Sequence, residues 1–293
     1  MPRTTRTAAR HVHAVLAAAV SNPALLEHLR QRAGRGEDDT ATFDLERIRL
    51  FAGLAVKVRQ NDVRLSLPLT FKLLDRLKIS IPLFAAYSKP AAALRQANKN
   101  MRSDKIESIS CFLEGWLHVN DPAQALVRDI LHHERALLVL NGNRATFLAE
   151  DRDRHTARAA AAVRPESIPR PAPGLTFHEM SCDPLALERM IRSPTGDLST
   201  LRRGPFYYAY CWDKGQSSIS TKEIDELGHV LINLASGRRS VARLVEILRQ
   251  AGVALTGAQL CDATQNLVDH GILILVDRRS RQTRGRSAIG SGR

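Results

Sequence analysis

The sequence predicts an α+β protein with an all-helical first half and a smaller second half, in which a short sheet precedes three helices ordered like a winged helix. Three observations carry this. Before residue 150, nearly every apolar stretch repeats with helical period and none alternates at strand length. Between Asp151 and Gly174 come an Asp-Arg-Asp-Arg run, a run of alanines, and then Pro165, Pro169, Pro171 and Pro173. Proline lacks a backbone donor and forces its predecessor toward extended geometry, so this segment reads as a linker with a stiff second half. Beyond it, Lys222 to Val276 reads as three short amphipathic helices and a closing strand. The expected organisation is a helical domain over 1–150, a linker over 151–174, a winged-helix-like domain over 175–277, and an Arg-rich, disordered tail over 278–293.

In chain order, Ala8 to Ala19 and Pro23 to Arg32 read as helices broken at Ser21-Asn22-Pro23. Asp44 caps a helix with Ile48, Phe51, Leu54, Ala55 and Val58 on one stripe. Leu69, Leu73, Leu74 and Leu77 repeat that pattern, with Pro68 tolerated in the first turn. Ser103 caps Asp104 to His118, and Asp121-Pro122 opens a helix that Asn141-Gly142 stops. After the linker, Leu175 to Cys182 and the aromatic Phe206 to Trp212 read as strands flanking a helix at Pro184 to Arg192. The last helices are Lys222 to Ala235, Ser240 to Gln250 and Ala258 to His270, with Ile272 to Val276 as a strand.

With 293 residues, 44% hydrophobic and 25% charged, the chain is long enough for two cores and is not disordered in composition. The apolar run Ala14 to Val20 is too short to span a bilayer and has no cleavage pattern after it. The expectation is a soluble cytoplasmic protein without a membrane partner. Cys111, Cys182, Cys211 and Cys261 form no C-x-x-C pair and fall in apolar or periodic segments, which predicts buried free thiols rather than a disulfide frame or a zinc site.

The formal net charge is +13. Arg3, Arg6 and Arg10 lie at the start without an acid, and six arginines from Arg278 to Arg293 lie at the end without one, which leaves only +4 for residues 11–277. Tails of this composition hold polyanions loosely and unspecifically.

Four groups of residues bear on function. Asp129 and His133 are four apart on one helix face, with His132, Glu134 and the earlier His118 near in sequence. No third or fourth ligand has matching spacing and H-E-x-x-H is absent, so a polar or partner-docking face is expected there and no metal or other cofactor. No nucleophile elbow or phosphate loop appears, and Gly34-Arg35-Gly36 follows a helix and precedes acids, the wrong context for a phosphate cradle. No catalytic residue is assigned. Arg238, Arg239 and Arg243 suit phosphates, yet the third helix offers Gln259, Gln265 and Asn266 against Asp262 and Asp269, with no Lys or Arg to offset DNA charge. Nucleic acid is the weaker alternative, as the ligand of a winged-helix transcriptional regulator.

The fourth group is the aromatic strand. Alternation places Tyr207, Ala209 and Cys211 on one face and Phe206, Tyr208, Tyr210 and Trp212 on the other. At a sheet edge such a strand accepts an extended peptide as an added strand. In the interior its aromatics are core filler, and the sequence leaves both readings open. On the edge reading, Tyr208 and Tyr210 are the expected hot spots.

The order of a short sheet and three helices resembles the precursor-recognition domain of ribosomal peptide maturation systems. Phe51-Ala52-Gly53-Leu54-Ala55-Val56-Lys57-Val58-Arg59, Asp129-Ile130-Leu131-His132-His133-Glu134-Arg135-Ala136-Leu137 and His178-Glu179-Met180-Ser181-Cys182-Asp183-Pro184 are similar to the accessory subunits of multinuclear non-heme iron oxidases, of the methanobactin and thiaglutamate type. The resemblance implies a non-catalytic, metal-free partner that binds the leader of a precursor peptide and docks on an iron oxidase that modifies cysteine. Phe206, Tyr207, Tyr208, Tyr210, Trp212, Gln259 and Gln265 are then the expected peptide contacts. His132, His133 and Glu134 are the expected docking surface.

Overall fold

The fold is taken from a computed structural model, in which residues 28–29, 31, 45–87, 102–118, 120–143, 162–213 and 218–276 are described. These residues form helices and two small antiparallel sheets, an α+β architecture. They divide into two compact units: residues up to Glu134 with Pro184–Thr200, and Arg135–Asp183 with the residues from Leu201 onward. The expected helices at Ala8–Ala19 and Pro23–Arg32 lie outside the described residues except at 28, 29 and 31, which are helical; Asp44, the side chain of Ser103 and the Arg-rich tail lie outside them too.

The first unit holds α1 (Leu45–Arg59), α2 (Asn61–Ser66), α3 (Pro68–Arg76), α4 (80–87), α5 (Arg102–Trp116) and the first part of α6 (Pro122–Gly142). It also holds α7 (Pro184–Arg192), which falls where the sequence places it. Of the expected stripe on α3, Leu69, Leu73 and Leu74 are buried, while Leu77 lies just past the helix end and is half-buried; Phe71 is buried too and stacks on Phe84 of α4 with centroids 5.6 Å apart. Asp121 opens α6 by accepting from Ala123 N–H at 2.9 Å. Helices α2 and α4 were not expected, because one or two turns carry too few residues to show a period. Gly53 of α1 is required by close approach, since a Cβ there would sit 2.7 Å from the Ile81 carbonyl oxygen and 2.9 Å from Ala85 N.

In the second unit, β1 (Pro169–Pro171) pairs antiparallel with β5 (Leu273–Leu275), while β2 (Thr176–Cys182), β3 (Arg203–Asp213) and β4 (Ser218–Ile224) form a three-stranded sheet in that order. Helices α8 (Glu226–Leu234), α9 (Val241–Gln250) and α10 (Gly257–Asp269) complete it. Each of the three has a side-chain N-cap: Asp225, Ser240 and Thr256 accept from the backbone N–H three residues on, the last within a capping box with Gln259.

Two expectations about elements change. The first helix of the trio begins at Glu226, because Lys222–Ile224 belong to β4 and Asp225 is the residue that starts the helix. The proline segment is an integral part of this unit rather than free chain. Val276 N–H donates to Ile168 O, Ala172 N–H to Ile272 O, Gly237 N–H to Pro169 O and Val241 N–H to Ser167 O, all within 2.9–3.0 Å. Proline is tolerated in β1 because a two-stranded ribbon demands donors on one side only.

The sheet is covered on both faces. Ala209 joins the core formed by Leu231, Ile232, Val241, Leu244, Leu260 and Leu267 of the three helices. Tyr208 and Tyr210, on the opposite face, pack with Met180 and with Ala136 and Leu140 from the end of α6.

Candidate functional site

The aromatic strand alternates as the sequence predicts, but β3 is the middle strand of its sheet. Its backbone pairs with β2 on one side, from Thr176↔Tyr210 to Cys182↔Arg203, and with β4 on the other, from Tyr207↔Ile224 to Asp213↔Ser218. Both rows of donors and acceptors are spent, so no further strand can add to it. The edge reading is overturned and the interior one holds. Tyr208 is 3% exposed and Tyr210 0%. The Tyr208 hydroxyl donates to Asp183 at 2.9 Å, and burial followed by that bond pushes its pKa far up. Phe206 and Trp212 are half-buried on the same face, and the Arg202 guanidinium lies 5.6 Å from the Phe206 ring centroid. Tyr207, on the helix side, stacks on His229 at 4.5 Å.

The two glutamines are occupied as well. Gln259 closes the capping box, and its Oε1 accepts from Thr256 N–H at 2.9 Å. Gln265 Oε1 accepts from Val163 N–H at 2.7 Å while its amide donates to Asp269, so it pins the extended segment to α10.

The open backbone belongs to β4, a strand the sequence reading missed. Its signal was present: Ile219, Thr221 and Ile224 are β-branched, and Asp225 followed by Gly228 is a helix start. Among the described residues β4 ends the sheet on one side and β2 on the other. The two edges differ, because β2 carries a register shift between Met180 and Cys182, an irregularity that blunts strand addition, whereas the β4 ladder is continuous.

Beside β4 runs a cleft of about 230 Å³ whose walls are Lys222 to Asp225 on one side and Ala263, Asn266, Leu267 and His270 on the other, with Gly228 and Ile272 also lining it. Residues paired across a ladder share a face, so Lys222 (opposite Ala209) and Ile224 (opposite Tyr207) point to the helix side with the cleft. Glu223, opposite Tyr208, points to the other face. Lys222 Nζ donates to the His270 carbonyl at 2.8 Å, closing one end of the cleft with a cation at the C-terminus of α10. Gly228 keeps the floor low: a Cβ there would meet Ile224 Cβ and Leu267 Cδ2 at 3.5 Å.

The expected docking surface at His132–Glu134 is largely interior. His133 is 1% and Glu134 6% exposed, while His132 is partly exposed with Nε2 3.5 Å from Glu114. The Glu134 carboxylate accepts from Leu69 N–H and Thr70 N–H, each at 2.7 Å, and so caps α3, whose N-cap residue Leu67 has no side chain able to do it. Burial pushes the Glu134 carboxyl above the usual range, against the pull of those donors. His133 Nε2 lies 3.4 Å from Glu188 of α7. Lys72 donates to Arg192 O at 3.2 Å, and Arg76 to Met190 O at 3.2 Å and to Gly196 O. These residues hold helices together within the first unit.

Among the described residues no group of three or more His, Cys, Asp or Glu is placed to hold a metal ion, and no helix is long and apolar enough to cross a membrane. None of the four cysteines is in a disulfide; Cys182 and Cys211 are buried and Cys261 half-buried, while Cys111 is exposed, contrary to the expectation of burial, its Sγ 3.4 Å from Glu107. Burial pushes the thiol pKa of Cys211 up. Arg238, Arg239 and Arg243 are exposed, and Arg243 pairs with Glu246. No protein-family model and no curated protein matches the chain.

Proposed function

We propose that the chain is a non-catalytic partner protein that holds an extended peptide, the leader of a ribosomally made precursor, for a separate iron-dependent oxidase that modifies cysteine. The observation that supports the peptide half is the continuous edge of β4 beside the cleft against α10, which pairs with no further strand among the described residues. Strand addition there supplies main-chain hydrogen bonds, and the cleft supplies selectivity. The order of sheet, three helices and strand supports a winged-helix-like reading, in which α10 takes the place of the reading helix. The outward residues of α10 include Gln259, Asp262, Asn266 and Asp269, so its charge suits a peptide better than a phosphate backbone. For the enzyme half, Phe51 (60% exposed), Val58 (67%) and Leu65 (70%) present apolar surface on α1 and α2, of the kind a protein partner covers.

The test is selection of random dodecapeptides displayed against the full-length protein, followed by titration of the enriched peptides and of mixed-sequence duplex DNA at physiological salt. Peptide binding lost on Asn266→Trp, which fills the cleft from an exposed position, supports the reading. Binding of duplex DNA that survives removal of residues 278–293, with no peptide enriched, replaces it with the regulator.

A further inference from the structure

Strand addition fixes more than the presence of a peptide. A strand laid along β4 sets its own side chains alternately on the two faces, so residues i and i+2 of the guest stand opposite Ile224 and Lys222 on the cleft side, in either chain direction. The environments at these two positions are of opposite character. Beside Ile224 lie Gly228 and Leu267, with Ala263 and Ile272 adding further apolar lining to the cleft. Ile224 itself packs on the helix core, and a single added methyl at Gly228 would fill the floor. Around Lys222 the cleft is polar, with Asn266 and His270 both exposed and the ammonium held at the cleft end by the His270 carbonyl.

Among the described residues no acid is ion-paired with that cation. Glu223 lies across the sheet beside Tyr208. Asp225, at the apolar end, is engaged with Gly228 N–H at 2.7 Å. Asp269 accepts from the Gln265 amide at 2.7 Å. One carbonyl bond also leaves the Lys222 ammonium two donors for a guest.

Resting on the peptide-binding reading, we infer that the guest of this cleft is an extended segment with a branched aliphatic side chain and, two residues away, a carboxylate. The aliphatic group lies in the cleft over Ile224, and the carboxylate pairs with Lys222. Two-residue spacing follows from the strand period, which a helical guest does not share.

The experiment uses matched pairs of the selected dodecapeptides on the full-length protein. In one pair the acid is replaced by its amide, and in the other the aliphatic residue two positions away is replaced by Ala. Enrichment of the aliphatic-x-acid pattern, a loss of about threefold on amide replacement that disappears at high salt, and a larger loss on the Ala replacement are expected. Lys222→Gln should make acid and amide peptides equal. Because that variant also removes the bond to the His270 carbonyl, the peptide pairs on the unaltered protein decide the matter on their own. Peptides that bind, are blocked by Asn266→Trp and ignore the acid would overturn the inference and leave the cleft reading standing. Peptides that bind undisturbed by Asn266→Trp, or no enriched peptide at all, would overturn both.

Discussion

Glu134 shows how one side chain can look like a surface contact in sequence and be a structural anchor. Two carboxylate oxygens take the first free N–H groups of α3, which no nearby side chain can reach. Glu134→Ala leaves two buried donors unpaired and should cost about 2–3 kcal/mol in urea unfolding. Its pH dependence has a definite sign. The native carboxyl is raised above the ordinary Glu value of 4.5, so between the two values the native state binds more protons than the unfolded chain. This group's contribution is complete below 4.5 and is lost as pH rises through the native value. The stability of the native protein relative to Glu134→Gln should therefore fall with rising pH across that window, measured as the difference in urea midpoints. A gap that widened instead would mean the carboxylate is better solvated than its burial implies. Tyr210 makes the parallel point: fully buried, it should lose about 3–5 kcal/mol on Tyr210→Ala through core damage. Asn266→Trp, on exposed surface, should leave stability unchanged within about 0.5 kcal/mol. Loss of peptide binding in the first variant without loss of stability would return the aromatic strand to candidacy.

Elements were legible where they were long or sharply punctuated. α6 and α7 begin at Pro122 and Pro184, and α9 and α10 follow side-chain caps, so local chemistry alone fixes their starts. The last three residues of β4, Lys222, Glu223 and Ile224, read as helix because they run into a helical pattern, and only the Asp225 cap separates the two. The close crossing at Gly53 belongs to this scale. Gly53→Val would force a branched side chain against the backbone of α4 and should lower the thermal midpoint by several degrees, for about 2–3 kcal/mol. Thr256→Ala, which opens the capping box of α10, should cost about 1 kcal/mol and leave the cleft walls in place.

At the scale of the molecule, chain order and compact units do not coincide. The segment Arg135–Asp183 belongs with the sheet and the last three helices, and Pro184–Thr200 belongs with the helical unit. A fragment of residues 175–277, the domain expected from the linker, lacks both β1 and the end of α6. Its tyrosine face would lose Ala136 and Leu140, and β5 would lose its partner strand. It should therefore be aggregation-prone or bind a hydrophobic dye, whereas a fragment of the same domain with residues 135–174 included should gain near-ultraviolet ellipticity from Tyr208, Tyr210 and Trp212. The sequence by itself determined the α+β class, most helix positions, the face alternation of β3 and the lack of Lys and Arg on α10, because each is written in local period, capping chemistry or charge count. The tertiary structure decided which strand has a free edge, which polar residues are buried and which helix covers the tyrosines. Those properties depend on pairings between residues far apart in the chain, such as Glu134 with Thr70 or Leu140 with Tyr210, and no local pattern encodes them.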